Sequence, residues 1–439
     1  MNILSFCRNK VFWTMDAVRG HSVKSAYNRI RKIDEMDSSN TFIKEHQKKA
    51  WKKLKEIAIT NTEHYRNIGD SKFLTFPVIT KNDIRNDLDA FLSNRMQKDR
   101  MIQMITSGST GIPFVSYQNF EKKKTVNAEI IYYSGKVGYR LGDNLSYIRT
   151  IVKQNQKSKL KQFVQNQTLI NCMSIDDKGI HAIFEKLQSI SKKEKTTLMA
   201  YGSTYAAMKD YIKKHNIESL SQCNICGAIS GSDMLFDETR MVISGIFGNI
   251  PVVSRYSNEE NGVIGQDEGI NNVFVINEAN YIVEICDETG KQLPEGELGH
   301  IVVTDLYNYA MPMIRYDTGD MGAIKIFDIN GRKKKCICQF SGRKVDVIYN
   351  TKGNVMSPHV ITNYMWNYTD IRQFQIIQVN KKQYKLRLNV SNDFSRMQEL
   401  VNMLRSLLGL DANICVEKVN EIPVLASGKR RYIINEWKS

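Results

Sequence analysis

Proline is scarce and scattered, seven in 439 residues and mostly isolated at turns, so no stiff proline-rich tether separates folded parts. Internal repeats and low-complexity tracts are missing as well, which excludes solenoid and propeller architectures. No run approaches the roughly 18 consecutive apolar residues of a membrane span. The first twenty residues are interrupted by Arg8, Lys10, Asp16 and Arg19 and make a poor export signal, so the chain reads as soluble and cytoplasmic. The eight cysteines are spread along a long chain, unlike a secreted disulfide framework, and suit a reducing compartment. Cys223 with Cys226 and Cys336 with Cys338 lack the four-ligand spacing of a structural zinc site and read as ordinary thiols. The G-x-x-x-x-G-K-[ST] phosphate loop does not occur in the sequence.

What is present is ordinary globular composition, 42% hydrophobic and 25% charged, in a chain long enough to bury a large core in more than one domain. The formal charge of +16 fits nucleic acid, an anionic membrane surface or acidic substrates. No zinc finger or RNA-binding aromatic signature supports nucleic acid. Lys48, Lys49, Lys52, Lys53 and Lys55 surround Trp51, Leu54 and Ile57 at helical spacing. They read as the solvated face of an amphipathic helix, with peripheral docking on an anionic membrane as the runner-up.

Residues 1–100 read as a helical region, with Thr80 and Asp83 spaced for a carboxylate variant of the capping box. From Met101 to Tyr256, apolar runs such as Met101–Ile105, Thr197–Tyr201 and Val252–Tyr256 alternate with amphipathic stretches such as Thr204–His215, the pattern of an α/β fold with a largely parallel sheet. Residues 272–315 switch to short strands and turns, expected as antiparallel hairpins packed beside the first sheet within the same large domain. After Gly342 comes a smaller α+β unit with a hairpin around Asn350–Gly353, a helix from about Pro358, strands at Phe374–Ile377 and Lys385–Leu388, and a helix from Arg396 to Leu408. The expected fold is α/β, a large N-terminal domain of mixed, largely parallel sheets flanked by helices plus a small mobile C-terminal α+β domain. The expected boundaries are 1–342, a hinge at 343–346, and 347–439.

The strongest local signal is Thr106-Ser107-Gly108-Ser109-Thr110-Gly111, between two apolar stretches. Glycines and small hydroxyl residues let backbone N–H and side-chain O–H groups converge on phosphate oxygens without obstruction. A pattern of two hydroxyls, Gly, two hydroxyls, Gly arises by chance in about one chain in two thousand of this length. This loop resembles the phosphate-binding signature of the adenylate-forming superfamily, and further pieces follow in that family's order. They are Gly231-Ser232-Asp233; Tyr256-Ser257-Asn258-Glu259-Glu260, which resembles Y-G-x-T-E; Arg315-Tyr316-Asp317-Thr318-Gly319-Asp320, which resembles R-Y-x-T-G-D; Gly342-Arg343-Lys344-Val345-Asp346, which resembles the G-R-x-D-D junction; and Pro423 to Arg431, which resembles the C-terminal glycine-lysine loop. The set is most similar to the phenylacetate-CoA ligase and CapK-like branch.

The resemblance implies ATP and Mg²⁺ as cofactors, with Thr106 to Gly111 on the phosphates, Gly231 and Ser232 against the adenine, Tyr256 near adenine and acyl pocket, and Asp320 on the ribose hydroxyls. Arg343 would meet ribose or phosphate. Glu260, preferred over Glu259, would hold the magnesium, because Mg²⁺ takes hard oxygen ligands. Lys429 would be the catalytic lysine, with Thr106 and Glu260 beside it, and Tyr201, Gly202 and Ser203 would line the acid pocket. Ser257, Glu259 and Val345 depart from the family pattern, Val345 standing where the hinge acid usually does. The implied activity is conversion of a carboxylic acid to an acyl-adenylate, followed by transfer to coenzyme A. An amino-sugar or amino-acid acceptor in surface polysaccharide synthesis is the alternative, and a non-enzymatic basic binding protein with vestigial motifs the second. A homodimer is implied too. Residues 262–284 contain neither Cys nor His, so the zinc of some relatives is not expected.

Overall fold

Helices come first: α1 (Ile3–Val18), α2 (Ser22–Asp34), α3 (Thr41–Asn61), the single turn α4 (Glu63–Arg66) and α5 (Lys81–Asn86). The structure, a computed structural model, describes residues 2–437 apart from 70–71, 107–113, 150, 152–156, 173–176, 232–233, 271, 344–347, 354, 357–360, 362–363, 366–367, 369, 391–393 and 424–430. In α3, Ile43, Ala50, Leu54, Ile57 and Ala58 point inward while Lys48, Lys49, Lys52 and Lys53 are exposed, as the helical spacing of the lysines requires. The Thr80 side chain accepts from the Asp83 N–H and the Asp83 carboxylate accepts from the Thr80 N–H at 2.7 Å, so the capping box starts α5.

Two strands follow, β1 (Ile102–Thr106) and β2 (Phe114–Gln118), which pair antiparallel as a separate ribbon with Thr106 opposite Phe114. The expectation that the 101–105 run belongs to the parallel sheet is therefore corrected: a hairpin partner nearby in sequence captures it at low loop-closure cost. Next come α6 (Phe120–Gly135), β3 (Asn144–Arg149), α7 (Lys159–Gln165), β4 (Gln167–Asn171), α8 (Asp177–Ser191), β5 (Thr196–Tyr201), α9 (Gly202–Lys214), β6 (Ile225–Gly231), α10 (Asp237–Ile246) and β7 (Val252–Asn258). Then come β8 (Gly262–Asp267), β9 (Phe274–Ile276), β10 (Tyr281–Cys286), β11 (Gly299–Asp305), β12 (Tyr316–Ile329) and β13 (Arg332–Arg343).

Eleven strands form one mixed sheet in the order β10-β11-β12-β13-β9-β8-β7-β6-β5-β3-β4. Strands β3 to β7 pair parallel, whereas β7, β8 and β9 pair antiparallel. The 272–315 strands thus join the same sheet instead of packing beside it, because β8 and β9 extend the parallel ladder edge to edge. Strands β5 to β7 are buried almost throughout, since side chains alternate between two covered faces. Leu198, Ala228 and Val252 cluster with Phe184, Tyr205 and Ile243 of α8 to α10, while Ile229 and Val253 pack with Val137.

The chain divides into two compact units, one of residues 1–284, 302–318 and 324–337, the other of 285–301, 319–323 and 338–439. In the second, β14 (Ile348–Tyr349) and β15 (Val355–Met356) make the expected hairpin. A four-stranded mixed sheet, in the order β18-β17-β16-β19, combines β16 (Ile371–Gln378), β17 (Gln383–Val390), β18 (Asn413–Lys418) and β19 (Ile433–Asn435). The intervening helix α11 (Met397–Leu408) buries Leu400, Leu404 and Leu408 at four-residue spacing against Ile376, Leu386 and Leu388. Most of the segment in which a helix from Pro358 is expected lies outside the described residues. Among the described residues no helix is long and apolar enough to cross a membrane.

Candidate active site

Ligands of α/β sheets bind beyond the carboxyl ends of the parallel strands. Three of the sequence-predicted positions meet there. Tyr201 at the end of β5 pairs in register with Gly231 at the end of β6, which pairs with Arg255 of β7, next to Tyr256. Among the described residues a Cβ placed on Gly231 would touch the Met199 methyl, at 3.7 Å, so their packing does not demand glycine there. Tyr256 is buried and its hydroxyl donates to Thr318 Oγ1 at 3.1 Å, which ties the end of β7 to the start of β12.

The turn after β7 is held by charge. Glu260 is 1% exposed, whereas its neighbour Glu259 is exposed. Oε1 of Glu260 lies 2.7 Å from the Lys81 ammonium and accepts from the Tyr316 hydroxyl at 2.9 Å. The Gln118 amide donates to the carbonyls of Glu260, at 3.0 Å, and Glu259. Phe114 stacks on Tyr316 at 6.5 Å and 15°, and the Lys81 ammonium sits 5.2 Å above the Phe114 ring. The strands flanking the hydroxyl-glycine loop and the acid of the glutamate turn are therefore joined through one tyrosine.

That tyrosine is placed by Arg315, whose φ of 51° is strained for a non-glycine residue. Its guanidinium pairs with Glu284 at 3.2 Å and donates to the Phe76 carbonyl at 2.8 Å, while its N–H donates to Thr304 Oγ1. Ile79 then bridges in parallel to Tyr316, with Ile79 N–H donating to Arg315 O and Asp317 N–H to Ile79 O. Arg315 positions the strand from beneath; its donors are spent on protein, not on a ligand.

Below the turn lies a buried polar network. Glu129 accepts from the Asn280 amide at 2.7 Å and the Val263 N–H at 2.9 Å, and the Tyr281 hydroxyl is 2.9 Å away. Lys122 and Asp305, both fully buried, pair at 2.7 Å, and Lys122 donates to the Tyr281 hydroxyl at 3.0 Å. Burial pushes the Glu129 and Asp305 carboxyls up from their ordinary range despite the Lys122 charge. The Tyr281 hydroxyl also lies 2.7 Å from the Asn261 carbonyl, so the network grips the residue next to Glu260.

Asp320 lies half-buried on β12, within the second unit. Thr106 and Arg343 are described in backbone only, at strand ends of β1 and β13. Ser107, Gly108, Ser109, Thr110, Gly111, Ser232, Val345, Asp346 and Lys429 lie outside the described residues. Lys81, Gln118 and Tyr316 were not legible as site residues. Lys81 follows an ordinary capping box, Gln118 is an isolated amide, and Tyr316 was read only as part of a ribose motif.

Magnesium would meet a suitable donor here. With Oε1 of Glu260 oriented by Lys81 and Tyr316, Oε2 is the carboxylate oxygen left for a hard cation, and among the described residues both amide atoms of the buried neighbour Asn261 lack a hydrogen-bond partner. Among the described residues, no group of three or more His, Cys, Asp or Glu side chains is placed to hold a metal by itself, so substrate oxygens would complete the shell.

The architecture has known counterparts. The fold is that of adenylate-forming ligases: a 2-hydroxyisobutyryl-CoA ligase, solved in the postadenylation state with its acyl-AMP, superposes with a TM-score of 0.70 at 15% identity, over 89% of each chain. In sequence the chain is similar to CapK. It is 26% identical to the Staphylococcus aureus protein CapK, covering 100% of this chain and 97% of that one, and residues 348–436 match the family described as the CapK C-terminal domain. A phenylacetate-coenzyme A ligase of Aromatoleum evansii is 24% identical over 37% of this chain and 39% of its own length.

Proposed function

We propose that the chain activates a carboxylic acid with ATP as an acyl-adenylate and passes the acyl group to the thiol of coenzyme A. The observation that carries this reading is the Lys81–Glu260–Tyr316 cluster at the mouth of the parallel strands. It fixes one buried carboxylate beside the strands that flank the hydroxyl-glycine loop.

In the first step a carboxylate oxygen attacks the α-phosphorus, the bond from that phosphorus to the bridging oxygen breaks, and pyrophosphate leaves. The difficulty is that an anion attacks an anion. Glu260 would hold a magnesium ion, which when bound would supply charge neutralisation on the phosphates. Donors of Thr106 to Gly111 and the Lys429 ammonium act on the oxygens around the α-phosphate, Asp320 and Arg343 hold the ribose, and Gly231 and Ser232 leave room for the adenine. Preorganised donors of this kind are each worth about 2.7–4 kcal/mol in the transition state. In the second step the thiol sulfur attacks the acyl carbon, AMP departs and the thiol proton is released. Tyr201 and Tyr256 give the acid pocket its walls.

Hydroxylamine trapping across aromatic, fatty, hydroxy and amino acids tests the first step. Hydroxamate is expected from at least one acid and is expected to be strongly reduced in Lys429→Ala. Equal product from both proteins rejects the lysine's role.

A further inference from the structure

Helix α1 leaves an apolar stripe exposed. A surface helix normally buries its apolar stripe and exposes its polar one. In α1 the buried residues are Ser5 and Asp16, while Ile3 is 80%, Val11 58% and Val18 84% exposed. The anchored side is mixed: Phe12 and Trp13 pack, partly buried, against the cluster of Ile30 and Tyr132, and polar groups hold the rest. Asn9 donates its amide to the Leu141 carbonyl at 2.8 Å, and the Asp16 carboxylate caps α2 by accepting from the Val23 and Lys24 N–H groups at 2.9 Å. A Cβ at Gly142, where φ is +103°, would sit 2.1 Å from the Ser5 carbonyl, so the helix backbone lies hard against that turn. The outward stripe Leu4, Cys7, Val11, Met15 and Val18 recurs every three or four residues, so it is one continuous face.

A second exposed apolar group adjoins it. On α7, Leu160, Phe163 and Val164 are exposed, Phe163 at 60%. The Arg8 guanidinium stands 5.1 Å over the Phe163 ring, which brings the two helices together. An open cleft at this junction is lined by Arg8, Lys159 and Lys193 beside Phe163, with Glu194 paired to Arg8 at 3.6 Å.

Charge selects the occupant. Residues 2–24 carry Arg8, Lys10, Arg19 and Lys24 against the single acid Asp16, which is spent as the α2 cap, and residues 157–168 carry Lys157, Lys159 and Lys161 with no acid. A second copy of the chain would set this basic rim against itself. We propose that the outer faces of α1 and α7 dock the protein on an anionic lipid bilayer, with α1 lying in the plane of the interface. The apolar stripe enters the acyl boundary, and the flanking bases, with the cleft, meet lipid phosphates. This inference stands apart from the ligase reading, since it uses none of that site's residues.

Flotation of the full chain with vesicles of phosphatidylcholine alone, or mixed equally with phosphatidylglycerol, tests it. Binding is expected only to the mixed vesicles and is expected to weaken steeply with salt. The bound fraction is expected to fall about tenfold in Val11→Asp and in Val164→Asp, with far-UV circular dichroism and melting temperature unchanged. Failure of the wild type to float with anionic vesicles overturns the proposal. So does flotation of both aspartate variants at the wild-type level, or a wild-type dimer that Val11→Asp splits into monomers, which assigns the face to a second copy.

Discussion

The Lys81 ammonium lies 2.7 Å from Oε1 of Glu260, and the carboxylate is almost wholly buried while the lysine is partly open to solvent. The pair joins the first residue of α5 to the turn after β7, which are far apart in the chain. Breaking a buried pair costs about 3–5 kcal/mol, and the solvent around Lys81 reduces that to about 1–3 kcal/mol. Lys81→Met is therefore expected to lower stability by this amount in urea unfolding. Adding Glu260→Gln is expected to recover at least about 1 kcal/mol, the signature of coupling, and Lys81→Arg is expected to retain most of the stability.

Tyr316 donates to the same carboxylate oxygen at 2.9 Å. Tyr316→Phe removes that donor and keeps the ring against Phe114. Stability is expected to change by no more than about 1.5 kcal/mol, the usual net worth of one hydrogen bond. The magnesium concentration needed for half-maximal pyrophosphate exchange is expected to rise, since the carboxylate loses its orientation. A magnesium titration of the variant against wild type reads this directly.

Gly262 has φ +115°, and a Cβ there would lie 2.4 Å from Glu129 Oε2 and 3.0 Å from the Tyr281 hydroxyl. Gly262→Ala is expected to cost about 2–4 kcal/mol through backbone strain and overpacking. Denaturant midpoints check this. Because the same network holds Asn261, acid activation is expected to fall with it.

Two histidines give the fold a pH dependence. Burial lowers the pKa of His46, which is 3.0 Å from the Ala279 carbonyl, and of His64, which stacks on Phe91 at 4.1 Å. The folded state binds protons at both less readily than the unfolded chain, whose imidazoles take them up near 6.5. Their contribution is therefore complete above that pH and erodes as pH falls below it. Melting temperatures followed from pH 7.5 to 5.5 are expected to decline, and His64→Phe is expected to flatten the slope, about these values.

The parallel α/β core was legible because β5, β6 and β7 are short β-rich runs whose two faces are both covered, and Thr80 with Asp83 gave away the start of α5. The pairing of β1 with β2 was not legible, because an apolar run does not disclose which neighbour it will choose. The 272–315 strands were read correctly as strands and placed wrongly, since sheet order depends on long-range edges. Among the candidate-site residues, Glu260 and Tyr256 fall within a recognisable motif. Lys81 and Gln118 do not, and each becomes meaningful only through a partner distant in sequence. The outward apolar face of α1 is not legible for a related reason: apolar spacing shows that a helix has a face, while only packing shows which way it points.

The most direct test of the central claim is acid-dependent ATP–pyrophosphate exchange, comparing wild type with Glu260→Gln across a panel of aromatic, fatty, hydroxy and amino acids. Exchange is expected with at least one acid, only in the presence of magnesium, and is expected to fall at least about 100-fold in the variant. Equal exchange in both proteins, or no exchange with any acid of the panel, contradicts the account.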